Sequence, residues 1–188
     1  MQPPFPAAAI AAARDAAAAY LRDGSSVNQA RIEAIAGAAL SLAEAFTGQA
    51  LILREHVAVL PVTGEWMPLP TAPVAAITEV AGLPAEGAAF ALPVGAYAVD
   101  VDARGEGWVR VIAPGIAGRV QVMFSAGLSS DWEHLPHAIR QGVVLLIAHL
   151  SDERSADDPP PAAVTALWRP FRRMRLAAPQ AFRAAVGG

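Results

Sequence analysis

The sequence predicts an α+β fold in which three to four helices form a helical bundle, an antiparallel β-meander is inserted between the second and third, and the C-terminus is an amphipathic basic helix. Three observations lead there. Apolar residues recur at helical spacing before residue 48 and again after residue 130, the period falls to two between them, and every acid lies within the first 158 residues. The changes of pattern divide the chain into 1–49, the N-terminal helices of the helical core; 50–127, the inserted β-meander; 128–158, the central core helix; and 159–188, the basic docking segment.

Residues 7–22, AAAIAAARDAAAAYLR, are strong helix formers, and DGSS closes them with a break. The next helix starts at SVNQ, where Ser26 can cap and Gln29 can reach back from the third helical position, the capping-box pattern. Ile32, Ile35, Ala36, Ala39, Leu42, Ala43 and Phe46 then mark its apolar stripe, and Gly48 suits the C-terminal cap.

From Ala50 to about Gly127 short segments alternate, punctuated by Pro and Gly, and five to seven strands are expected. In AYAVDVD the residues Tyr97, Val99 and Val101 face one way and Ala98, Asp100 and Asp102 the other; RGEG turns the chain, and WVRVIAP returns. GRVQVMFSAG alternates through Val120, Val122 and Phe124.

Helical character resumes at DWEHLPHAIRQGVVLLIAHLSDER, residues 131–154, with Pro136 at a tolerated first-turn position and Ile139, Val143, Leu146 and Leu150 on one stripe. Val144, Leu145 and Ile147 make the middle of this helix apolar all round, which places it at the centre of a core. SADDPPP breaks the chain before a final helical segment. On a helical wheel Val164, Leu167, Trp168, Phe171 and Met174 share one side, Arg169, Arg172 and Arg173 lie beside them, Arg175 falls at the apolar edge, and Pro170 kinks the helix or marks its start.

Composition narrows the function classes. With 54% hydrophobic and 16% charged residues over 188 positions, the chain has the material for a packed domain. No run reaches the roughly 18–20 apolar residues of a membrane span, and the alanine-rich start has no basic n-region, so a soluble, cytoplasmic chain without a signal peptide is expected. There is no cysteine, which excludes disulfide and thiolate chemistry. Nine arginines against seventeen acids give residues 1–158 a net charge of −8, whereas five arginines and no acid give 159–188 a net charge of +5. The body repels polyanions and the tail attracts anionic surfaces.

The chemistry-bearing candidates are few. His134 and His137, with Asp131, Glu133 and His149 nearby, suggest a metal site, but zinc wants three or four converging ligands and His149 lies three turns along the helix. Asp100 and Asp102 share a strand face and read as its solvated side rather than an acid–base pair. No nucleophile elbow, Walker loop, dinucleotide fingerprint or HExxH is present, so neither an enzyme nor a cofactor is expected. WRPFRRMRL, residues 168–176, is permissive for nucleic acid because arginine meets phosphates and aromatics stack on bases. The separation of its aromatics onto an apolar face favours a protein partner.

Three stretches, in order, resemble the head-to-tail connector (adaptor) proteins of tailed bacteriophages and gene transfer agents. AAAAYLRDGSSVNQARIEAIAGAALSLAEAFTGQALI is similar to the family's opening helices, VMFSAGLSSDWEHLPHAIRQGVVLLIAHLSDER to its last strand and Pro-initiated helix, and LWRPFRRMRL to its C-terminal stretch. The first helix departs from that pattern in being nearly pure alanine, and the tail beyond Leu176 is longer and more apolar. The resemblance implies a non-enzymatic virion or gene-transfer-agent neck protein, assembled in the bacterial cytoplasm. It would form a homo-oligomeric, commonly dodecameric ring beneath the portal protein, meet a stopper or tail protein on the distal side, and leave a channel for DNA that passes without specific binding. Under it, Trp168, Arg169, Phe171, Arg172, Arg173 and Arg175 are the candidate portal-binding residues. Another neck or tail-completion protein, or a DNA-binding module using the same arginines, is the alternative.

Overall fold

The computed structural model describes residues 4–22, 29–152 and 158–173. The fold is α+β, and its elements run α1 (Ala7–Leu21), α2 (Gln29–Thr47), β1 (Arg54–Pro61), β2 (Met67–Pro68), β3 (Val74–Pro84), β4 (Phe90–Ala91), β5 (Tyr97–Val101), β6 (Gly107–Val111), β7 (Ala117–Ala126), α3 (His137–Ser151) and α4 (Ala162–Trp168). The capping box expected at Ser26 lies outside the described residues.

The four helices share one apolar core. The fully buried residues of α1 are all alanines, Ala9, Ala13 and Ala17, whose small side chains let the helix lie close against α2 and α3, with Ile10 packed half-buried beside them. From α2 come Ile32, Ala36, Ala39, Leu40 and Ala43. The expected stripe is rotated here: Leu42 is exposed, while Leu40, Glu44 and Thr47 are buried. α3 has no exposed residue between Gln141 and Leu150, as its continuous apolar run predicts for a helix packed on several sides.

The β-region is not a meander. Its seven strands form two sheets, one ordered β1-β7-β3-β4 and the other β2-β6-β5, so the last strand in sequence lies between the first and the third. β7 is the most completely apolar of the alternating segments on its inner face, through Val120, Val122, Phe124 and Ala126, and two-sided pairing gives that face the widest cover. Sequence neighbours pair only in β3–β4 and β5–β6. Both sheets close over a second core, which includes Leu69, Val80, Val109 and Val111.

The β-insertion leaves and rejoins the helices side by side. Leu53 N–H donates to Ser129 O at 2.7 Å, Ser129 N–H to Leu51 O at 3.0 Å and Leu128 N–H to Ala50 O at 2.9 Å. At this crossing a Cβ on Gly127 would overlap the backbone of Leu53, so only glycine permits the approach.

Candidate functional site

The basic C-terminal segment is held by its aromatic residues and presents its arginines. α4 begins after Pro161, buries Val164 one turn later and ends at Trp168, which is 3% exposed. The Trp168 indole lies against Gly142 of α3, where any Cβ would collide with the ring, and its Nε1–H donates to Ile139 O at 3.2 Å. The Phe46 ring of α2 packs beside it, with centroids 5.8 Å apart. Trp168 therefore joins α4 to both α2 and α3. This revises the sequence expectation that it touches a partner directly, because a side chain seated in a glycine-sized recess has almost no surface to offer.

The expected basic helix also takes a different form. The α-helix stops at Trp168, and Arg169–Phe171 makes a 3-10 turn containing Pro170 before Arg172 turns extended. Proline lacks the N–H that would continue the helical ladder. The arginines consequently stand on a turn and an extended strip. Arg169 and Arg172 are exposed, Phe171 and Arg173 half-buried; Arg175 lies outside the described residues.

Backbone bonds fix this strip in place. Arg173 N–H donates at 2.7 Å to the carbonyl of Thr47, one of the last acceptors of α2, which has no partner within its helix. Gln49 Nε2–H donates to Phe171 O. Gly48, at φ +69°, caps α2 as its position predicts, and a Cβ there would meet Arg173 O at 2.7 Å. The Arg173 guanidinium reaches the β5–β6 turn, donating to Arg104 O and lying 3.8 Å from the Glu106 carboxylate. Arg172 stands over the Phe46 ring at 5.8 Å, within cation–π range.

Beneath this surface a buried ion pair sets the junction of helices and sheets. Glu44 of α2 accepts from both terminal nitrogens of Arg54, the first residue of β1, at 2.8 Å each, and from Leu51 N–H at 2.7 Å. Arg54 also donates to Ile52 O at 3.0 Å and lies 4.5 Å from the centre of the Phe5 ring. His56, two residues on, is buried against Phe124, and among the described residues its Nε2 has no hydrogen-bond partner. Burial, then the neighbouring Arg54 charge, hold its imidazole below the ordinary histidine range. None of Glu44, Arg54 and His56 was singled out from sequence. The available signal was the charge of Glu44 at i+4 from Leu40, inside an otherwise apolar stripe.

Of the other sequence candidates, Asp102, Asp131, Glu133, His134 and His149 have local partners. Asp102 accepts from the N–H groups of Arg104 and Glu106 and shapes its own turn. The His134 ring Nδ1 lies 2.7 Å from Asp131, whose carboxyl is held below the usual carboxylate range chiefly by that bond. His149 bonds Asp158 O at 3.1 Å, and among the described residues no three of His, Asp and Glu gather as a metal group. Among those residues no helix is long and apolar enough to cross a membrane.

Solved structures show the same fold over nearly the whole chain. A chain titled "Neck of empty GTA particle computed with C6 symmetry" matches at 28% identity with a TM-score of 0.73, covering 93% of this chain and 95% of that one. The resemblance to the head-to-tail connectors is borne out. Another, from "Neck of native GTA particle computed with C12 symmetry", matches at 27% identity with a TM-score of 0.70 over 94% of this chain and 97% of that one. A third, from the virion of a native gene transfer agent particle, matches at 27% identity and 0.67, covering 92% and 93%. No protein-family model and no curated protein matches the chain.

Proposed function

We propose that the chain is a structural head-to-tail adaptor: copies form a ring in the particle neck, docked beneath the portal through the basic C-terminal strip. The observation that carries this is the full-length likeness to chains of gene-transfer-agent necks whose titles state six-fold and twelve-fold symmetry. The strip fits the docking role. Arg169 and Arg172 are exposed on a backbone already pinned to α2, so little ordering entropy remains to be lost on binding. Arg175 extends the same run in sequence.

The net charge of −8 over residues 1–158 supports an unobstructed DNA channel, since each phosphate a lumen neutralised would strengthen binding through counterion release and slow passage. The nucleic-acid reading of the strip loses its best stacking group, because Trp168 is inside the core.

Co-sedimentation with isolated portal rings tests the proposal. The wild-type chain is expected to pellet with the rings, more strongly at low salt, and Arg169→Glu with Arg172→Glu to abolish pelleting without altering the circular dichroism. Undiminished pelleting of the variant would sink the docking role. Salt-sensitive retention of DNA without portal binding would replace it with the nucleic-acid reading.

A further inference from the structure

The helical half carries a cleft that the docking proposed above does not use. It lies between the C-terminal part of α1 and the start of α3 and has a volume of about 290 Å³, near the lower end for clefts that hold small ligands. Its apolar lining includes Trp132 and Val144, which are 3% and 7% exposed. Four polar side chains line the same cleft: Tyr20 of α1, and His137, Arg140 and Gln141 of α3. His137, a metal candidate by sequence, therefore belongs to a different grouping from His134.

These polar groups have hydrogen-bonding capacity to spare. Among the described residues the Tyr20 hydroxyl, the His137 ring and the Gln141 amide have no hydrogen-bond partner. Arg140 spends only Nη1, which donates to Glu133 at 2.8 Å, and its Nε is buried without a partner among the same residues. A buried donor left unmatched carries a desolvation cost that a ligand oxygen can remove. The Glu133 side chain is 71% exposed, so its ion pair with Arg140 is weak and can be shared or displaced.

The donor set narrows the ligand. Arginine only donates, a tyrosine hydroxyl and a glutamine amide can each donate, and the first turn of α3 adds positive potential from the helix dipole. An anion is therefore preferred to a cation. Asp131 and Glu133, in the turn before α3, oppose a dianion more than a monoanion, which favours a carboxylate over a phosphate. A carboxylate also matches the planar guanidinium through two oxygens, and the apolar lining suits a hydrocarbon group behind it. We infer that this cleft binds a carboxylate carried on an apolar stem: Arg140 holds the carboxylate, Tyr20 and Gln141 donate to it, and Trp132 and Val144 cover the stem. The inference does not depend on portal docking.

NMR titration of the isotope-labelled full chain with benzoate tests it, with benzamide as the uncharged isostere and inorganic phosphate as a second anion. Benzoate is expected to shift the Trp132 indole and Gln141 side-chain signals saturably, with benzamide and phosphate weaker by about tenfold or more. Arg140→Gln should weaken benzoate by a similar factor and Tyr20→Phe severalfold, whereas Glu133→Gln, which releases the guanidinium, should tighten it. Absence of saturable shifts, or benzamide binding as well as benzoate, would overturn the site. Phosphate binding as tightly as benzoate would overturn the carboxylate class. Should the melting temperature show Arg140→Gln misfolded, the benzamide comparison and Glu133→Gln decide, and a Glu133→Gln chain that binds no more tightly would count against the inference. Butyrate and the peptide acetyl-Ala-Ala-Glu-Ala-Ala-amide separate the two sources of a carboxylate: tighter binding of the peptide assigns the cleft to an acidic side chain of a polypeptide, and tighter binding of butyrate assigns it to a free acid.

Discussion

Single residues at the junction decide whether the two cores hold a fixed relation. Glu44 and Arg54 are buried and bidentate, so removing one partner leaves an uncompensated charge. Glu44→Gln is expected to lower stability by about 3–5 kcal/mol, whereas Glu44→Leu combined with Arg54→Met should cost far less, because no charge is then left behind. Urea unfolding midpoints of the single and double variants check this. His56 adds a pH dependence of defined sign. Its folded-state pKa is lowered, so the unfolded chain binds its proton more readily and stability is full above about pH 6.5. As pH falls below that, stability should decline by up to about 1.4 kcal/mol per unit until the folded imidazole protonates beside Arg54, and His56→Leu should flatten the slope. Gly142 is the third such residue. Gly142→Ala is expected to expel the Trp168 indole, red-shifting tryptophan emission and making the Arg169–Arg173 strip a site of rapid tryptic cleavage.

At the scale of elements, the two faces of the larger sheet are unequal in ways their alternation predicts. Phe124 of β7 lies fully within the second core, and Phe124→Ala should cost about 3–5 kcal/mol. Val59 of β1 is exposed on the opposite face, and Val59→Ala should change stability by no more than about 0.5 kcal/mol. Denaturant titration of the pair separates packing from strand propensity. Alternation through Val120, Val122 and Phe124 was legible in the sequence because the side-chain period of a strand is two wherever the strand sits. The partner of that strand was not legible. β7 pairs with β1 across the whole length of the insertion, a choice made by which apolar faces cover one another and invisible to a short sequence window.

For the whole molecule, charge is divided along the chain: residues 1–158 carry a net −8 and residues 159–188 a net +5. A heterologous ring contact would bring two further surfaces of each copy together. Docking through exposed arginines predicts a measurable salt dependence: raising ionic strength from about 0.1 M to 1 M shortens the screening length from about 10 Å to 3 Å and should weaken portal co-sedimentation severalfold. Binding that stayed constant across that range would place the affinity in apolar contacts instead.

Much of this was available from the amino-acid order alone. The extent of α1, the apolar stripe of α3, the Gly48 cap, the turn at Gly105, the position of the β-insertion and the cationic tail all follow from local periodicity, turn chemistry and charge, which act over a few residues. Tertiary structure alone decided the rest. It rotated the buried stripe of α2 to admit Glu44, it turned Trp168 from a surface aromatic into an anchor because Gly142 left room for it, and it tied Ile112 and Ala113 back to the carbonyl of Ala96. Each of those outcomes depends on residues distant in sequence sharing one volume, and a helical or strand period specifies the face a side chain takes but not what will be packed against it.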